Sequence, residues 1–395
     1  MSFKQILSIP GVFPVLFTLF MASFGFGVIL PILPFYALSL GAQPFELGML
    51  TATFAFMGLI FSPLFGKLSD RIGRKKVLMI GALGFVTAYL VFAFTSSLEM
   101  AFAARAIEGI FAAGIFPACI SLLSDLTSRE QRGKAMGFVG MSFSLGFIVG
   151  PAFGGVVSAI SIKDVFFLSA LLAFINFISI YLQIKEPKKA EESSDFVRKE
   201  IGILERISSP MLFVFLSTFM ITFMIGGLDA TLAIYTGDKL GFSSPQIGIV
   251  FTYIGILIML MQGFAGNLIN RFGELRMIQI GLLLSGIGFS LLVFTHDWPS
   301  LMLALGVFVA GNASVFPSVS STLTKSVSGK RGAILGLDAS FRSLGQLIGP
   351  LLGGFLYGIN HDYAFMGLAL VTFAYFLFFS FFARKRIAKM ILGTA

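Results

Sequence analysis

The chain has 395 residues, of which 56% are hydrophobic and only 12% are charged, and its mean hydropathy is +0.94. This composition excludes an ordinary water-soluble domain, because too few polar side chains remain to cover its surface. The net charge of +9 would fit nucleic-acid binding only if the basic residues clustered on one surface, and they lie instead between apolar segments. The composition therefore indicates a protein of the lipid bilayer.

Twelve apolar segments follow one another, each close to the roughly 20 residues that a membrane-spanning helix requires. Backbone groups in hydrocarbon must be satisfied internally, and these segments do not alternate polar with apolar residues, so they predict helices and not barrel strands. We number them span 1 to span 12, and they cover residues 10–36, 45–66, 77–97, 99–124, 133–159, 164–184, 210–236, 245–269, 276–296, 299–323, 332–357 and 363–383. The predicted fold class is an all-α membrane protein with twelve transmembrane helices.

The distribution of the 28 Lys and Arg residues predicts the orientation of the chain. Almost all of them lie in segments on the same side as the N-terminus. The exceptions are Lys163 and Lys239 on the other side, and Arg105 and Arg342 within spans. By the positive-inside rule, both termini of this multi-pass protein are expected in the cytoplasm, with the chain in the cell membrane. The first apolar run lacks a small-residue cleavage pattern, so we interpret it as span 1.

The second half of the chain repeats the first. The pair Leu40-Gly41 recurs 200 positions later as Leu240-Gly241. Because six spans separate the copies, both halves have the same orientation, as in the parallel repeats of secondary transporters. The predicted domains are an N-terminal six-helix bundle, a charged cytoplasmic linker and a C-terminal six-helix bundle, at residues 1–184, 185–208 and 209–395. On composition, the linker is either a passive tether or a regulatory segment.

A motif of glycines and charges lies between spans 2 and 3. Its members are Gly66, Leu68, Asp70, Arg71, Gly73, Arg74 and Lys75. The motif resembles the signature loop of the major facilitator superfamily, and the resemblance implies a gate that also uses Asp125 at the end of span 4. We expect the glycines to allow a tight turn, with Asp70 at a helix N-terminus and paired with Arg74. The alternative is a solvated turn whose charges only set topology.

The second half has a fainter copy of this motif. Asn270 and Glu274 stand at the positions of Asp70 and Arg74, and Lys325 stands at the position of Asp125. The second latch is therefore expected to be weaker or differently built.

Span 5 carries small residues at every fourth position, a spacing that lets helices approach closely. They belong to a motif made of Gly146, Gly150, Pro151, Gly154 and Gly155. The motif resembles a pattern of the antiporters of the superfamily, which implies export. The alternative is tight packing alone, because the second half has a copy at residues 345–354.

Five charged residues lie within spans, where each costs about 2.5–3.5 kcal/mol on insertion scales. They are Arg105, Glu108, Asp229, Asp338 and Arg342. The spacings of three and four residues place Arg105 with Glu108, and Asp338 with Arg342, on one helical face, so each pair can neutralise itself.

Asp229 has no Lys or Arg within one helical turn along the chain. A buried carboxylate can load a proton from one side and release it when water or a cationic substrate arrives, so Asp229 is the first candidate proton carrier. A neutral, hydrogen-bonded Asp or one already in water is the alternative.

The whole chain, and residues 228–239 in particular, is similar to the quinolone-type multidrug exporters of Gram-positive bacteria. That resemblance ties an acid at this position to proton coupling. These exporters often carry a second acid in span 10, where this chain has Gly311-Asn312-Ala313-Ser314. Either Asp338 substitutes for that acid or the coupling differs.

The sequence Arg105-x-x-Glu108-Gly109 is similar to the Arg-x-x-Gln-Gly pattern of the same family, with Glu in place of Gln. The resemblance implies that Arg105 perturbs a proton site, which makes Glu108 the second proton candidate. A permanent ion pair that only supports packing fits equally well.

The 48 Phe and 17 Met residues can line an adaptable apolar pocket in which aromatic faces attract cations. We therefore predict a proton-coupled antiporter that exports lipophilic, often cationic drugs and confers antibiotic resistance, driven by the proton gradient without a cofactor and working as a monomer. The predicted substrate-binding residues are Asp229, Arg342, Gln346, Tyr36 and Tyr235.

Other functions fit the same fold. They are export of one metabolite, flipping of a lipid or glycolipid whose headgroup Arg105 and Arg342 would suit, and sensing without transport. An enzyme is disfavoured, because no nucleophile, base and orienting group converge in either half. The single Cys119 and the two histidines form no ligand cluster, so no metal site is predicted.

Overall fold

The structure is a computed structural model, and it describes residues 9–186, 209–325 and 331–391. Over these residues the elements are helices, and eleven helices are long and apolar enough to cross a membrane. The remaining predicted span is the 29-residue helix Arg331–Ile359, which Asp338, Arg342 and Gln346 make more polar. The prediction of an all-α membrane protein with twelve transmembrane helices is confirmed.

The helices of spans 1 to 12 are Val12–Ile29, Pro44–Ile72, Arg74–Phe94, Leu98–Leu126, Arg129–Ser158, Ile162–Gln183, Ser209–Leu240, Ser244–Phe272, Glu274–Val293, Trp298–Lys325, Arg331–Ile359 and His361–Phe378. A short helix, Leu33–Ser39, follows span 1. After span 12, a π-helical turn at Phe379–Ala383 leads into the helix Arg384–Ile391.

Side-chain caps explain several helix starts. At the start of span 2, the Gln43 backbone N–H donates to the Glu46 carboxylate at 2.6 Å. At the start of span 5, Ser128 and Gln131 each accept a hydrogen bond from the other's backbone N–H. Reciprocal bonds of this kind satisfy N–H groups that have no partner in the first turn of a helix.

Span 1 is not the continuous segment expected through residue 36. Its helix ends at Ile29, and the short helix Leu33–Ser39 begins beyond Pro31. Proline has no backbone N–H, and its ring clashes with the preceding turn, so Pro31 interrupts the helix. Pro34 lies in the first turn of the short helix, where no N–H is required.

The segment expected to form a loop between spans 2 and 3 is almost entirely helical. Span 2 continues to Ile72 and span 3 begins at Arg74, so only Gly73 lies between the two helices. Its φ of 102° is a conformation that side chains with a Cβ rarely adopt. The prediction of a tight turn is confirmed at this residue, and its extension over the whole motif is wrong. The repeat copy is built the same way around Gly273, whose φ is 79°.

The chain groups into two compact units. The first comprises Met1–Lys188 and Leu232–Ile256, and the second comprises Lys189–Thr231 and Leu257–Ala395. In the first, span 1 packs on span 5, span 2 on span 4, and span 3 on spans 4 and 6; in the second, span 9 packs on spans 10 and 12, and span 11 on span 12. The predicted bundles at 1–184 and 209–395 remain a prediction. The predicted linker lies outside the described residues except for Lys185 and Glu186.

Candidate functional site

Arg105 and Glu108 form an ion pair inside the first unit. Arg105 Nη1 donates to Glu108 Oε2 at 2.6 Å, and the two side chains are only 2% and 0% exposed. The predicted pairing along span 4 is confirmed. Because both charges are fully desolvated, removing either one would leave the other in a medium that penalises it strongly.

Span 2 holds the arginine of this pair. Arg105 Nε donates to the Leu50 carbonyl at 3.4 Å, and the guanidinium lies 5.0 Å from the centre of the Phe54 ring. Gly109 permits this approach, because a Cβ there would lie 2.5 Å from the Phe54 carbonyl oxygen. The Arg-x-x-Glu-Gly spacing thus places the pair where two helices nearly touch.

Tyr89 of span 3 is another buried polar residue of the first unit. It is 2% exposed. The hydroxyl contacts Gly25 of span 1 so closely that a side chain at residue 25 would displace it. Tyr89 Oη and Glu108 Oε1 are both buried without a hydrogen-bond partner among the described residues. Buried polar atoms in that condition are uncommon and costly.

Asp229 lies within the helix Ser209–Leu240 and is 7% exposed. The preceding turn packs closely on the neighbouring spans. A Cβ at Gly226 would lie 2.9 Å from Pro350 of span 11, and one at Gly227 would lie 2.7 Å from Leu368 of span 12. Asp229 also takes part in an electrostatic or hydrogen-bonding interaction, which the spacing of charges along the chain does not reveal. The structure therefore places this acid in a tightly packed part of the second unit.

Asp338 and Arg342 form the ion pair expected on span 11, with Arg342 Nη2 3.0 Å from Asp338 Oδ2. Span 7 holds both residues. Thr218 donates to Asp338 Oδ1 at 2.5 Å, and Thr222 donates to the Arg342 backbone carbonyl at 2.8 Å. Both carboxylate oxygens of Asp338 therefore have a partner, and the residue is only 6% exposed.

Arg342 differs from Arg105 in its access to the surroundings. Its side chain is 36% exposed, and its guanidinium lies 4.6 Å from the centre of the Phe316 ring. Gln346, one turn further along span 11, is exposed. The two predicted substrate-binding residues therefore lie on one accessible face of a helix.

The two predicted tyrosines are placed differently. The Tyr36 hydroxyl donates to the backbone carbonyls of Phe92 and Thr95, at 2.9 and 3.1 Å. It thereby satisfies carbonyls at the end of span 3, a structural role that argues against the predicted contact with substrate. Tyr235 is fully buried, and its hydroxyl accepts a hydrogen bond from Lys239 Nζ at 2.6 Å.

Asn312 stands in span 10, where the resembling exporters often have an acid. It is 5% exposed and donates to the Ile221 carbonyl of span 7 at 3.3 Å. An amide can make this bond and an ionised carboxylate cannot, because the carboxylate has no proton to donate. The Asn312 side chain therefore joins span 10 to span 7.

Among the residues of the predicted gate, Arg74 pairs with Asp125 and not with Asp70. Arg74 Nε lies 3.0 Å from Asp125 Oδ2, which agrees with the partner that the resemblance supplied. The contact is one of charges, since the Nε–H is not directed at the carboxylate. Asp70 is an exposed residue in the last turn of span 2, and its expected pairing with Arg74 is wrong, because Arg74 lies against Asp125. Arg71 is likewise exposed, and the space around Gly66 is open.

Glu186, at the start of the predicted linker, contacts the same turn. Its carboxylate accepts hydrogen bonds from the backbone N–H groups of Arg74 and Lys75, at 2.7 and 2.9 Å. A negative charge at the N-terminus of a helix is favourable, because the first N–H groups have no partner within the helix. The carboxylate also fills the space beside Gly73 that a Cβ would need.

The second unit has a latch of reversed polarity. Glu274 pairs with Lys325, and Ser321 donates a further hydrogen bond to Glu274 at 2.9 Å. The acid and the base have exchanged helices relative to Arg74 and Asp125. The expectation that the second latch is differently built is confirmed.

The glycines of span 5 lie against the backbone of span 1. At Gly146, Gly150 and Gly154, an added Cβ would meet the backbone around Phe20, Phe24 and Val28 in turn. At Gly150 the distance to the Phe24 carbonyl oxygen would be 2.5 Å. The second half repeats this packing between span 11 and span 7 at Gly345, Gly349 and Gly353. The predicted close approach of helices is confirmed.

Gly155 faces another helix. A Cβ there would lie 2.8 Å from the Ser244 carbonyl oxygen of span 8, and one at Gly248 would lie 2.5 Å from the Pro151 carbonyl oxygen. Thr252 of span 8 donates to the Ile148 carbonyl at 3.1 Å. The motif therefore serves two interfaces of the first unit, one with span 1 and one with the first part of span 8.

Sequence reasoning missed Tyr89, Thr218 and Glu186. Tyr89 and Thr218 could have been noticed as polar side chains within apolar spans, but nothing in the local sequence indicates that Thr218 bonds to Asp338. Among the described residues, no three His, Cys, Asp or Glu side chains come close enough to hold a metal ion.

The sequence matches a known protein family and named relatives along most of its length. The sequence profile of the Major Facilitator Superfamily matches residues 15–243 and 214–390. The chain is 31% identical over 358 residues to Multidrug resistance protein 1 of Bacillus subtilis (strain 168), covering 90% of this chain and 92% of that protein. It is 30% identical over 364 residues to Quinolone resistance protein NorA of Staphylococcus aureus (strain COL), covering 91% and 94%.

Solved structures have the same architecture. The human organic anion transporter MFSD10 (TETRAN) is similar with a TM-score of 0.71 at 23% identity, over 96% of this chain and 100% of that one. The nucleoside transporter NupG is similar with a TM-score of 0.78 at 16% identity, over 96% and 99%. At these identities the likeness bears on the fold alone.

Proposed function

Because the chain belongs to the major facilitator superfamily, we propose that it is a multidrug exporter, which moves lipophilic, often cationic drugs out of the cell in exchange for protons. Export in exchange for protons requires groups that bind a proton on one side of the membrane and release it on the other. We assign this role to acidic residues of the chain itself, and the proposal includes no cofactor.

The names of the relatives support the substrate class. Two relatives that align over about nine tenths of the chain are named for multidrug and quinolone resistance. The aromatic content agrees with this class, since a cation is attracted to the face of an aromatic ring. The contact of Arg342 with Phe316 is one such contact within the chain itself.

The observation that carries the proton part of the proposal is the burial of acids within membrane spans. Asp229 is 7% exposed and Glu108 is 0% exposed. Ionisable groups at such positions are rare in membrane proteins and are functional by default. We assign proton binding to Asp229 first and to Glu108 second, and a substrate contact to the exposed face of Arg342 and Gln346.

The main competing function is that of a lipid or glycolipid flippase, and the burial of one of its two arginines argues against it. That hypothesis needs arginines that reach an anionic headgroup. Arg105 is 1% exposed and bonded to Glu108, which leaves Arg342 as the accessible one of the two.

Transport in proteoliposomes under an imposed pH gradient tests the proposal, with ethidium as the lipophilic cation. We expect the parent chain to move ethidium against its concentration gradient and Asp229→Asn to abolish this movement. Asp164→Asn is the matched control, because Asp164 is an exposed residue in the first turn of span 6. It should transport as the parent does.

Each outcome decides one part of the proposal. If the parent moves no ethidium, multidrug export is wrong and a metabolite or lipid substrate takes its place. If Asp229→Asn transports as well as the parent, Asp229 is not the carrier and Glu108 becomes the first candidate.

A further inference from the structure

We propose that Arg342 is the anion-binding group of a substrate subsite in the second unit, which takes lipophilic drugs that carry a carboxylate. The inference rests on the proposed export of lipophilic drugs and names the chemical group that Arg342 binds. Phe316 and Asp338 contact the guanidinium. They are positioning residues, because the substrate carboxylate itself is bound by Arg342.

The repeated halves of the chain provide an internal comparison for this position. In the first unit, Ser23 of span 1 donates to the Phe143 carbonyl of span 5 at 2.7 Å. In the second unit, Thr222 of span 7 donates to the Arg342 carbonyl of span 11 at 2.8 Å. Both bonds join the first helix of a half to its fifth helix. Phe143 and Arg342 therefore occupy the same place in the two repeats.

The aromatic neighbour of this position is repeated as well. The Phe116 ring of span 4 lies 6.3 Å from the Phe143 ring, centre to centre, and the Phe316 ring of span 10 lies 4.6 Å from the Arg342 guanidinium. Phe116, Phe143 and Phe316 are 47%, 44% and 39% exposed, and the Arg342 side chain is 36% exposed. The first unit accepts an uncharged aromatic pair here, so packing alone does not require the arginine of the second unit.

The charge of Arg342 is costly where it lies. The residue is near the middle of the helix Arg331–Ile359, and a charged side chain at that depth is strongly disfavoured by hydrocarbon. We infer that the exposed side of the guanidinium faces a water-filled path and not lipid. Charged groups kept within spans without a structural need mark substrate or ion pathways.

The guanidinium has more hydrogen-bond donors than the structure uses. Its Nη2 donates to Asp338 Oδ2 at 3.0 Å, and among the described residues its other N–H groups have no acceptor. Thr218 donates to the second oxygen of Asp338, which fixes the carboxylate that orients the arginine. Arginine only donates and stays charged, so the partner that suits its remaining N–H groups is an anionic acceptor.

A carboxylate matches the guanidinium in charge and in shape, because two parallel N–H···O bonds can form. Phosphate shares this chemistry, and a lipid headgroup is the other source of it. The half-exposed Phe316 ring offers apolar surface directly beside the arginine. That surface suits a drug whose carboxylate adjoins an aromatic ring, whereas the groups that adjoin a lipid phosphate are polar.

Binding of two dyes to the purified protein in detergent, measured by fluorescence anisotropy, tests the subsite. Rhodamine 110 carries a carboxylate and rhodamine 123 is its methyl ester, so the two dyes differ in that group alone. We expect Arg342→Gln to weaken rhodamine 110 binding roughly 10- to 100-fold, as the loss of a charge-assisted hydrogen bond implies. The binding of rhodamine 123 should stay within about twofold of the parent, because the ester brings no charge to the arginine.

A double variant separates loss of the subsite from loss of the fold. Asp338→Val/Arg342→Phe gives the second unit the side chains that the first unit has at these positions, Val139 and Phe143. It removes both charges together, so no acid is left buried without its counter-ion. It should lose the same share of rhodamine 110 affinity as Arg342→Gln.

Arg271→Gln is the matched control. Arg271 is exposed in the last turn of span 8, and its guanidinium also lies near an aromatic ring, 5.4 Å from the centre of Phe272. Its removal should leave the binding of both dyes unchanged.

The proposal is overturned if Arg342→Gln weakens both dyes equally or neither, or if the double variant binds rhodamine 110 as the parent does. Displacement by lysophosphatidylglycerol distinguishes the two sources of the anion. If this lipid binds in an Arg342-dependent way and rhodamine 110 does not, the carboxylate assignment is wrong and a lipid phosphate takes its place.

The assay uses neither ethidium nor a pH gradient. If the parent fails to export ethidium and Arg342 still discriminates between the dyes, the proposed export is wrong and the subsite stands. If ethidium is exported and the dyes are not discriminated, the subsite is wrong and export stands.

Discussion

Arg105 and Glu108 compensate each other's charge inside the protein. The pair is fully buried, and its guanidinium is held further by the Leu50 carbonyl and the Phe54 ring. A buried pair of this kind is weak evidence for net stability, because desolvation offsets the attraction between the charges. Its energetic importance appears when one member is removed.

We therefore expect Arg105→Met to lower the free energy of unfolding by about 3–5 kcal/mol, because the Glu108 carboxylate would be left buried without its counter-ion. Thermal and chemical unfolding in detergent measures the change. The double variant Arg105→Met/Glu108→Met should regain most of the loss, since it removes both charges together. Equal destabilisation of the single and the double variant would contradict this account.

At the scale of helices, the close approach of spans 1 and 5 depends on glycine. Gly146, Gly150 and Gly154 present a strip without side chains to the span 1 backbone. Small residues at such spacing bring helices close enough for extensive van der Waals contact, which is a main source of association in lipid. We therefore expect substitution within the strip to separate the helices and substitution outside it to leave them in place.

Gly150→Ala should lower the free energy of unfolding by about 1–3 kcal/mol, the usual cost of overpacking. The matched control is Gly137→Ala on the same helix, where a Cβ would meet nothing within 4 Å. That variant should keep or slightly raise stability, because alanine favours the helix. Unfolding of both variants in the same detergent provides the comparison, and equal losses would show that the contact of Gly150 with span 1 is not the cause of the destabilisation.

At the scale of the whole molecule, the distribution of charge along the chain predicts orientation. Lys and Arg are concentrated in the segments on the side of the N-terminus, and such a bias marks the cytoplasmic side. Single cysteines test this prediction well, because the native Cys119 is fully buried and contributes little background labelling.

In intact cells, a membrane-impermeant maleimide should label Ser243→Cys and leave Asp70→Cys unlabelled until the membrane is permeabilised. Both positions are exposed, and they lie at opposite ends of the spans. Labelling of Asp70→Cys from outside, with Ser243→Cys protected, would reverse the proposed topology.

The sequence alone predicted the number and order of the spans and the two ion pairs within them. These features are local, since the length of an apolar segment and the helical period of 3.6 residues can be counted along the chain. The same local rules predicted the helix ends less well. Span 1 is divided at Pro31, and the loop predicted between spans 2 and 3 consists of Gly73 alone.

Contacts between residues that are distant along the chain became visible only in the folded structure. Arg74 pairs with Asp125 and not with Asp70, and Glu186 reaches the N-terminus of span 3 across more than 100 residues. Thr218 of span 7 bonds to Asp338 of span 11, and Tyr36 bonds to the end of span 3. Such partners depend on which helical faces pack together, and in these spans nearly every face is apolar. Hydropathy therefore determines that the helices cross the membrane, whereas close packing determines which side chains they bring together.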